Sequence, residues 1–296
     1  MKKLVIIDKP RTVYGNLALN HACLDAVGNG QYEEIVRIYQ FSRPGAILSS
    51  HQDIWDIREE ARGTLDITRR PTGGSVVLVD EQTIGYSVFL KTGSKIDIPN
   101  VYRTFTERVI TALQSYGIPD ITLGHWYVKV NGGVVAGHAQ QNRGFISEFQ
   151  GLIRLTAWDM ALLEKTVRLR TLAEHDGKQY LIVDKGAYDL KGRLVDVPLE
   201  RLTRVRDEYA ELAAAPSLTT YGVTHSDLME RLATALAESD ERHTLPQELL
   251  VKGAQHEQHY RDPSWVCKQD GDITRCLGHC FVDMVEREPA NATKPL

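Results

Sequence analysis

The chain has 296 residues, 42% hydrophobic and 25% charged, with 35 lysines and arginines against 39 acidic residues for a formal net charge of −4. That composition excludes a disordered, collagenous or coiled-coil chain, and the length is ample for a buried core. The charge balance argues against nucleic acid or a membrane surface as partner, while leaving room for a local basic pocket around one phosphate.

The first ten residues, MKKLVIIDKP, hold a short apolar run that Asp8, Lys9 and Pro10 close well below signal-peptide or membrane length, so a first strand is expected there. Cys23 stands alone and Cys267, Cys276 and Cys280 come late, unlike a dense disulfide framework, which makes a reducing cytoplasm the expected setting. From Asn16 to Val27 apolar residues recur near helical spacing, with Asn16 available as N-cap and Cys23 as a small core residue. Glu34 to Phe41 alternates like a half-buried strand that Arg43-Pro44-Gly45 ends, and Gln52 to Arg62 suggests a short helix. Ser75 to Asp80 and Ile84 to Leu90 are β-rich runs expected to pair as neighbours. Asn100 is placed to cap a helix reaching Tyr116, which Gly117-Ile118-Pro119 stops. Trp126 to Val130 and Val134 to Ala139 flank Asn131-Gly132, the strongest short-range hairpin signal. Ile146 to Leu155 is a further strand, residues 178–184 and 192–197 look extended, and 157–170, 198–213, 226–239 and 246–259 look helical. Hairpins early and helices late predict an α+β fold with helices packed on a sheet.

The sharpest motif is Arg69-Arg70-Pro71-Thr72-Gly73-Gly74-Ser75-Val76-Val77-Leu78-Val79-Asp80. Its glycines let backbone amides approach an anion beside two arginines; spacing alone allows equally a Gly-Gly turn with solvated arginines. No Gly-Lys-Ser/Thr follows, so it is not a P-loop.

In this loop the chain resembles the superfamily of lipoate–protein ligase A, octanoyltransferases and biotin–protein ligases, and within it the lipoate–protein ligase branch. The family's Arg-Arg-x-Ser/Thr-Gly-Gly-Gly-x-Val-x-x-Asp loop is similar to residues 69–80, and its Asn-Leu-x-Tyr-Ser strand to Thr83-Ile84-Gly85-Tyr86-Ser87. Asn16 to Asn20 resembles the family's first helix, Arg37 to Pro44 through Gln52 the strand and loop that follow, and Val130 to Ala139 the Val-Asn-Gly-x-Lys-Ile-Ser-Gly-Ser-Ala hairpin. The resemblance is firm over residues 1–160 and loose over 160–262. It implies a mixed, largely antiparallel sheet flanked by helices, similar to the catalytic domains of class II tRNA synthetases and biotinyl/lipoyl transferases. It also implies adenylation of lipoate, octanoate or a similar medium-chain carboxylate with ATP and magnesium. The acyl group then passes to a lysine of a lipoyl domain or a glycine-cleavage H-type carrier protein. Carried over residue by residue, the substrate-binding positions are Arg70, Thr72, Gly73, Gly74, Val76 and Gln52, with Gly137, His138 and Ala139 on the hairpin.

Four departures from the family pattern, at five positions, stand out. The hairpin lysine aligns with Val134, an Asn-Asp pair with Trp126-Tyr127, and two histidines with Val79 and Gln150. If Asn131-Gly132 is a two-residue turn, Lys129 lies across the hairpin from Val134, where cross-strand Cβ atoms are about 5 Å apart. Lys129 is therefore the candidate catalytic residue, a migrated lysine, with a solvated strand lysine as the other reading. His138 reads as a surface histidine or as a second donor. No cysteine follows the Gly137-His138-Ala139 block, so a thiol acyl-enzyme has little support.

The tail gathers His256, His259, Cys267, Cys276, His279 and Cys280 into 25 residues. Cys267, Cys276, Cys280 and His279 form one candidate zinc set, against thiols buried in a C-terminal subdomain. Residues 1–245 are expected to form the lipoate–protein ligase-like catalytic domain, and 246–296 a C-terminal appendage with the His/Cys cluster and a frayed end. The leading expectation is a lipoate–protein ligase-like acyltransferase. Its alternative is a catalytically altered member without adenylation that binds an acyl group or carrier, or one that acts on a different carboxylate.

Overall fold

The structure is a computed structural model that describes residues 2–92, 98–124, 126–184, 186–189 and 193–267. Its first half alternates short strands with two long helices: β1 (Lys3–Ile7), α1 (Val13–Gly28), β2 (Glu34–Gln40), β3 (Gly45–Leu48), α2 (Glu59–Arg62), β4 (Asp66–Arg69), β5 (Val77–Val79), β6 (Thr83–Lys91) and α3 (Ile98–Gln114). Next come β7 (Ile121–Leu123), β8 (Tyr127–Val130), β9 (Gly133–Arg143), β10 (Ile146–Arg154), α4 (Met160–Thr166) and β11 (Arg170–His175). The remaining elements are β12 (Lys178–Val183), β13 (Gly186–Tyr188), β14 (Leu194–Val195), β15 (Thr203–Asp207), α5 (Glu208–Ala213), α6 (His225–Ala237), α7 (Gln247–Arg261) and α8 (Pro263–Val266).

Among the described residues the main sheet has the order β1-β2-β6-β10-β9-β8-β7. The β1–β2 pair is parallel and the other pairs are antiparallel, so the expected mixed, largely antiparallel sheet is present. Successive side chains of a strand face opposite sides, and both sides of this sheet are covered. Val5, Val36, Ile38, Val88 and Phe149 pack with α3 and α6 residues such as Val109, Leu113, Leu228 and Leu232. Leu4, Ile6, Ile35 and Phe89 pack against Ala22, Leu24 and Val27 of α1 and Leu249 of α7. Double coverage explains why β2 is buried along its interior instead of half-buried in alternation. A three-stranded sheet, β4-β3-β5, and a five-stranded one, β14-β13-β12-β11-β15, lie beside the main sheet.

Several expected boundaries move, each for a local reason. Thr12, not Asn16, caps α1, its hydroxyl accepting from the Gly15 amide at 3.2 Å; Asn16 is buried and donates to the Gln40 carbonyl at 2.9 Å. Residues 52–62 form a 3-10 turn at Ile54–Asp56, capped by the Asp53 carboxylate, and the single turn α2; the chain is extended at Ile57 and Arg58 between them, where Ile57 bridges to Val167. The runs at 75–80 and 84–90 do not pair: β5 joins β3, while β6 joins β2 and β10. Asp80 and Thr83 bond each other's backbone and side chains, turning the chain from one sheet into the other. α3 begins at Ile98, and Asn100 lies inside it, bonded to Arg103. Segments read as helix give up Arg170 to β11 and residues 203–207 to β15.

A buried polar network sits between the main sheet and α1. The fully buried Arg37 guanidinium donates to Asp8 at 2.7 Å, to the Asn16 side chain at 2.7 Å and to the Asn20 side chain at 2.7 Å. Asn20 passes the connection to Ser87 at 2.9 Å and to Glu148 at 3.4 Å. Burial pushes the Glu148 carboxyl up from 4.5 to about 7, against the donors of Gln141, Asn20 and the nearby arginines. The folded state therefore holds this proton to higher pH than the unfolded chain does, and its contribution to stability is lost as pH rises from about 4.5 to about 7. Thermal unfolding of wild type and Glu148→Gln across that range is expected to show the variant gaining on wild type by several degrees as pH rises; a pH-independent difference would contradict the burial account.

Candidate active site

The β8–β9 hairpin turns at Asn131 and Gly132, whose φ values of +50° and +81° fit the two-residue turn read from the sequence. Val130 pairs with Gly133 and Lys129 with Val134, while Val128 pairs with Ala136, which leaves Val135 as a bulge. Gly133 is required by packing: a Cβ there would lie 2.2 Å from the backbone joining Ala214 and Ala215. That close approach brings the chain after α5 over the hairpin.

Between this hairpin, β10 and the loop after β4 lies a cavity of ≈ 230 Å³. Of the residues singled out in the sequence, Arg70, Gly74, Val76, Gly137, His138 and Ala139 line it together. Arg70 is buried, and its guanidinium donates to the carbonyls of Ile47 at 3.0 Å, Gly73 at 2.7 Å and Ser75 at 2.8 Å. The arginine thus folds its own loop around itself, which overturns the alternative of a solvated side chain. Gly74 has φ +97°, and a Cβ there would stand 2.9 Å from the Arg70 guanidinium. Thr72 lies behind the wall: its hydroxyl accepts from the Gln150 amide, and Gln150 lines the cavity.

His138 is buried at 8% exposure, so it is not a surface histidine. Its Nε2 meets the Tyr86 hydroxyl at 2.5 Å, and its Nδ1 has no hydrogen-bond partner among the described residues. Burial lowers its pKa to about 3, so the imidazole facing the cavity is neutral at physiological pH. Lys129 reaches the rim through a partner: its Nζ lies 3.0 Å from Glu211, which lines the cavity. Gln52 stands further back, accepting from the Ser49 amide at 3.0 Å and donating to Asp56 at 2.7 Å. Cys23 is fully buried with its thiol pushed up to about 12, as a core cysteine should be. Cys267 is exposed at the end of α8, and Cys276, His279 and Cys280 lie outside the described residues.

Sequence reasoning missed Arg168 and Arg170, which also line the cavity. Arg168 pairs with Asp184 at 3.1 Å and stacks on Trp55, and the buried Arg170 bonds Asp56 at 2.6 Å. Their spacing of two residues is the period of an extended segment, and it is masked by the helical spacing of the apolar residues over 157–170. The lining otherwise includes Leu17, Tyr39, Ile47, Val77 and Leu152, an apolar slot beside cationic and amide donors.

The chain matches the family model of the lipoyl protein ligase A/B catalytic domain over residues 12–200, more than half its length. It belongs to that family. A Mycoplasma pneumoniae protein described as "Probable lipoate-protein ligase A" is 24% identical over 268 residues, covering 89% of this chain and 71% of its own. Among solved structures, a lipoate-protein ligase A bound with ATP aligns at a TM-score of 0.67 with 15% identity, over 90% of this chain and 99% of that one. A bi-partite lipoate protein ligase from Thermoplasma acidophilum, studied with its E2 lipoyl domain, aligns at 0.65 with 16% identity, over 90% and 95%. At these identities the structural likenesses establish the shared fold. In this family member the departures gather in one place: Trp126, Tyr127, Val134 and Gln150 all line the cavity, while Val79 is buried beside β3.

Gly74→Ala should strain a backbone available to glycine and push on Arg70, at about 1–3 kcal/mol. Titration calorimetry with lipoate or octanoate is expected to show about tenfold weaker binding, with the melting temperature lowered by a few degrees in a protein that still folds; unchanged affinity would separate this loop from the ligand.

Proposed function

We propose that the protein is a lipoate–protein ligase-like acyltransferase that joins lipoate, octanoate or a similar carboxylate to a lysine of a lipoyl carrier domain, with ATP as the activating co-substrate. The observation that carries this reading is the convergence of the Arg70–Val76 loop and the Gly137–Ala139 strand on one cavity with both an apolar wall and arginine donors. An aliphatic tail suits the wall, and a carboxylate or α-phosphate suits Arg70, Arg168, Arg170 and the amides around Gly74. A lipoyl domain or H-type carrier supplies the acceptor lysine in the cytoplasm, where the chain's sparse cysteines would stay reduced. No described helix is long and apolar enough to cross a membrane.

The lining fits an anionic nucleotide better than a protein-held magnesium ion. Among the described residues Glu211 is the one carboxylate lining the cavity, and Lys129 engages it. Carboxylate ligands are what magnesium ordinarily takes from a protein, and this lining does not supply a free one among the described residues. Positive charge in this site comes from side chains instead. Lys129, opposite Val134 and fixed by Glu211, is the group we assign to the role of the missing family lysine: holding negative charge that develops at the acyl-phosphate. Neutral His138, fixed by Tyr86, orients the acyl head without adding charge.

The test combines purified protein with ATP, lipoate and a lipoyl carrier domain, followed by intact mass of the carrier. Wild type should add one lipoyl group, and Lys129→Ala should slow the addition by about 10²–10³-fold, as loss of one oxyanion donor does, with Lys129→Arg partly restored. Lipoylation at the wild-type rate by Lys129→Ala would remove Lys129 from the chemistry; absence of lipoylation by wild type would remove the proposed reaction for this substrate.

A further inference from the structure

His256 lies near the late cysteines in sequence, yet the fold turns it toward the first helix. α7 packs along α1, and His256 meets two α1 residues, His21 and Asp25, which are four apart and share a helix face. The His256 Nε2 lies 3.1 Å from Asp25 Oδ2, and the His21 Nε2 lies 3.8 Å from Asp25 Oδ1. The two imidazoles stack 4.0 Å apart and 5° from parallel. One donor atom from each of the three residues falls within 4.8 Å of the others.

We propose that His21, Asp25 and His256 form a binding site for a divalent first-row metal ion of the zinc class, stapling α7 to α1. Two imidazole nitrogens and a carboxylate are a donor set such ions take, with a fourth position left for water. Bonds of about 2.0–2.2 Å would bring tetrahedral ligand atoms to roughly 3.3–3.5 Å of one another. Closing from 4.8 Å also requires the stacked rings to rotate out of parallel so that both in-plane lone pairs meet one ion, and all three side chains are only partly buried. The Tyr260 hydroxyl stands 3.5 Å from His21 Nδ1, an outer partner that orients the ring with Nε2 toward Asp25. Without metal, the cluster is faced by cations: Arg143 lies 3.4 Å from His21 Nε2 and Lys252 3.9 Å from Asp25 Oδ2. Metal would displace both. His259 is not part of the set, since its ring packs 4.4 Å from Trp265.

The staple has a route to the active site. α7 runs into α8, where the Arg69 guanidinium holds the Trp265 carbonyl at 3.1 Å and the Val266 carbonyl at 2.9 Å, one residue before Arg70. Fastening α7 to α1 would therefore fasten the support of the Arg70 loop.

The test uses the full chain carrying Cys267→Ser, Cys276→Ser and Cys280→Ser, stripped of metal and titrated with cobalt(II) by calorimetry and visible spectroscopy. One cobalt per chain is expected, with ligand-field bands and no thiolate charge transfer, and a raised melting temperature. His256→Gln or His21→Asn should weaken binding at least tenfold. Arg143→Ala and Lys252→Ala should tighten it, which a purely structural ion-pair cluster would not do. Absence of cobalt binding in the cysteine-free chain, or affinity unchanged in both histidine variants, would overturn the proposal.

Discussion

Two adjacent buried arginines set the geometry on which the rest of the site depends. Successive residues of an extended segment face opposite ways, so Arg69 and Arg70 serve two different neighbourhoods. Arg69 gathers the carbonyls of Ser49 and Gln52 with those of Trp265 and Val266, binding the loop after β3 to α8. Arg70 gathers the carbonyls of Ile47, Gly73 and Ser75, which shapes the glycine loop into a cavity wall. A buried carbonyl left without its donor costs about 1–3 kcal/mol, so neither guanidinium is replaceable without reshaping its surroundings. The indole of Trp265 closes the arrangement by donating to the Arg69 carbonyl at 3.0 Å.

The cavity these arginines frame has a different charge distribution from the one the family pattern implies. Val134, Trp126 and Tyr127 put apolar and aromatic surface where the pattern places a lysine and an Asn-Asp pair. Trp126 packs edge-on against Tyr102 at 4.4 Å, joining this surface to the core under α3. Cationic groups line the same space from other elements, Arg168 just before β11 and Arg170 at its start, while Lys129 pairs with Glu211 at the rim. A desolvated anion needs donors whichever strand supplies them.

The parts of this arrangement legible in the sequence are those with strong local rules. Asn131-Gly132 fixed the hairpin and with it the facing of Lys129 and Val134, since a two-residue turn leaves one register. The Arg69–Asp80 loop was readable through its resemblance to the family loop, since its spacing alone allows a plain Gly-Gly turn equally well. What failed depended on tertiary context. Asn16 looks like a cap but is drawn inward by Arg37 and the Gln40 carbonyl. β5 and β6 look like partners, but β3 and β2 compete successfully for them. Arg168 and Arg170 were hidden in an apparently helical stretch, and the meeting of His256 with His21 and Asp25 joins residues far apart in sequence that no motif connects.

The central claim is that the cavity beside Arg70 activates a medium-chain carboxylate with ATP. Its most direct measurement is lipoate-dependent ATP–pyrophosphate exchange in the absence of any carrier protein, comparing wild type with Arg70→Ala. Exchange by wild type that requires lipoate and falls at least a hundredfold in a folded Arg70→Ala protein is the predicted result. No lipoate-dependent exchange, or equal exchange in the two proteins, would contradict it.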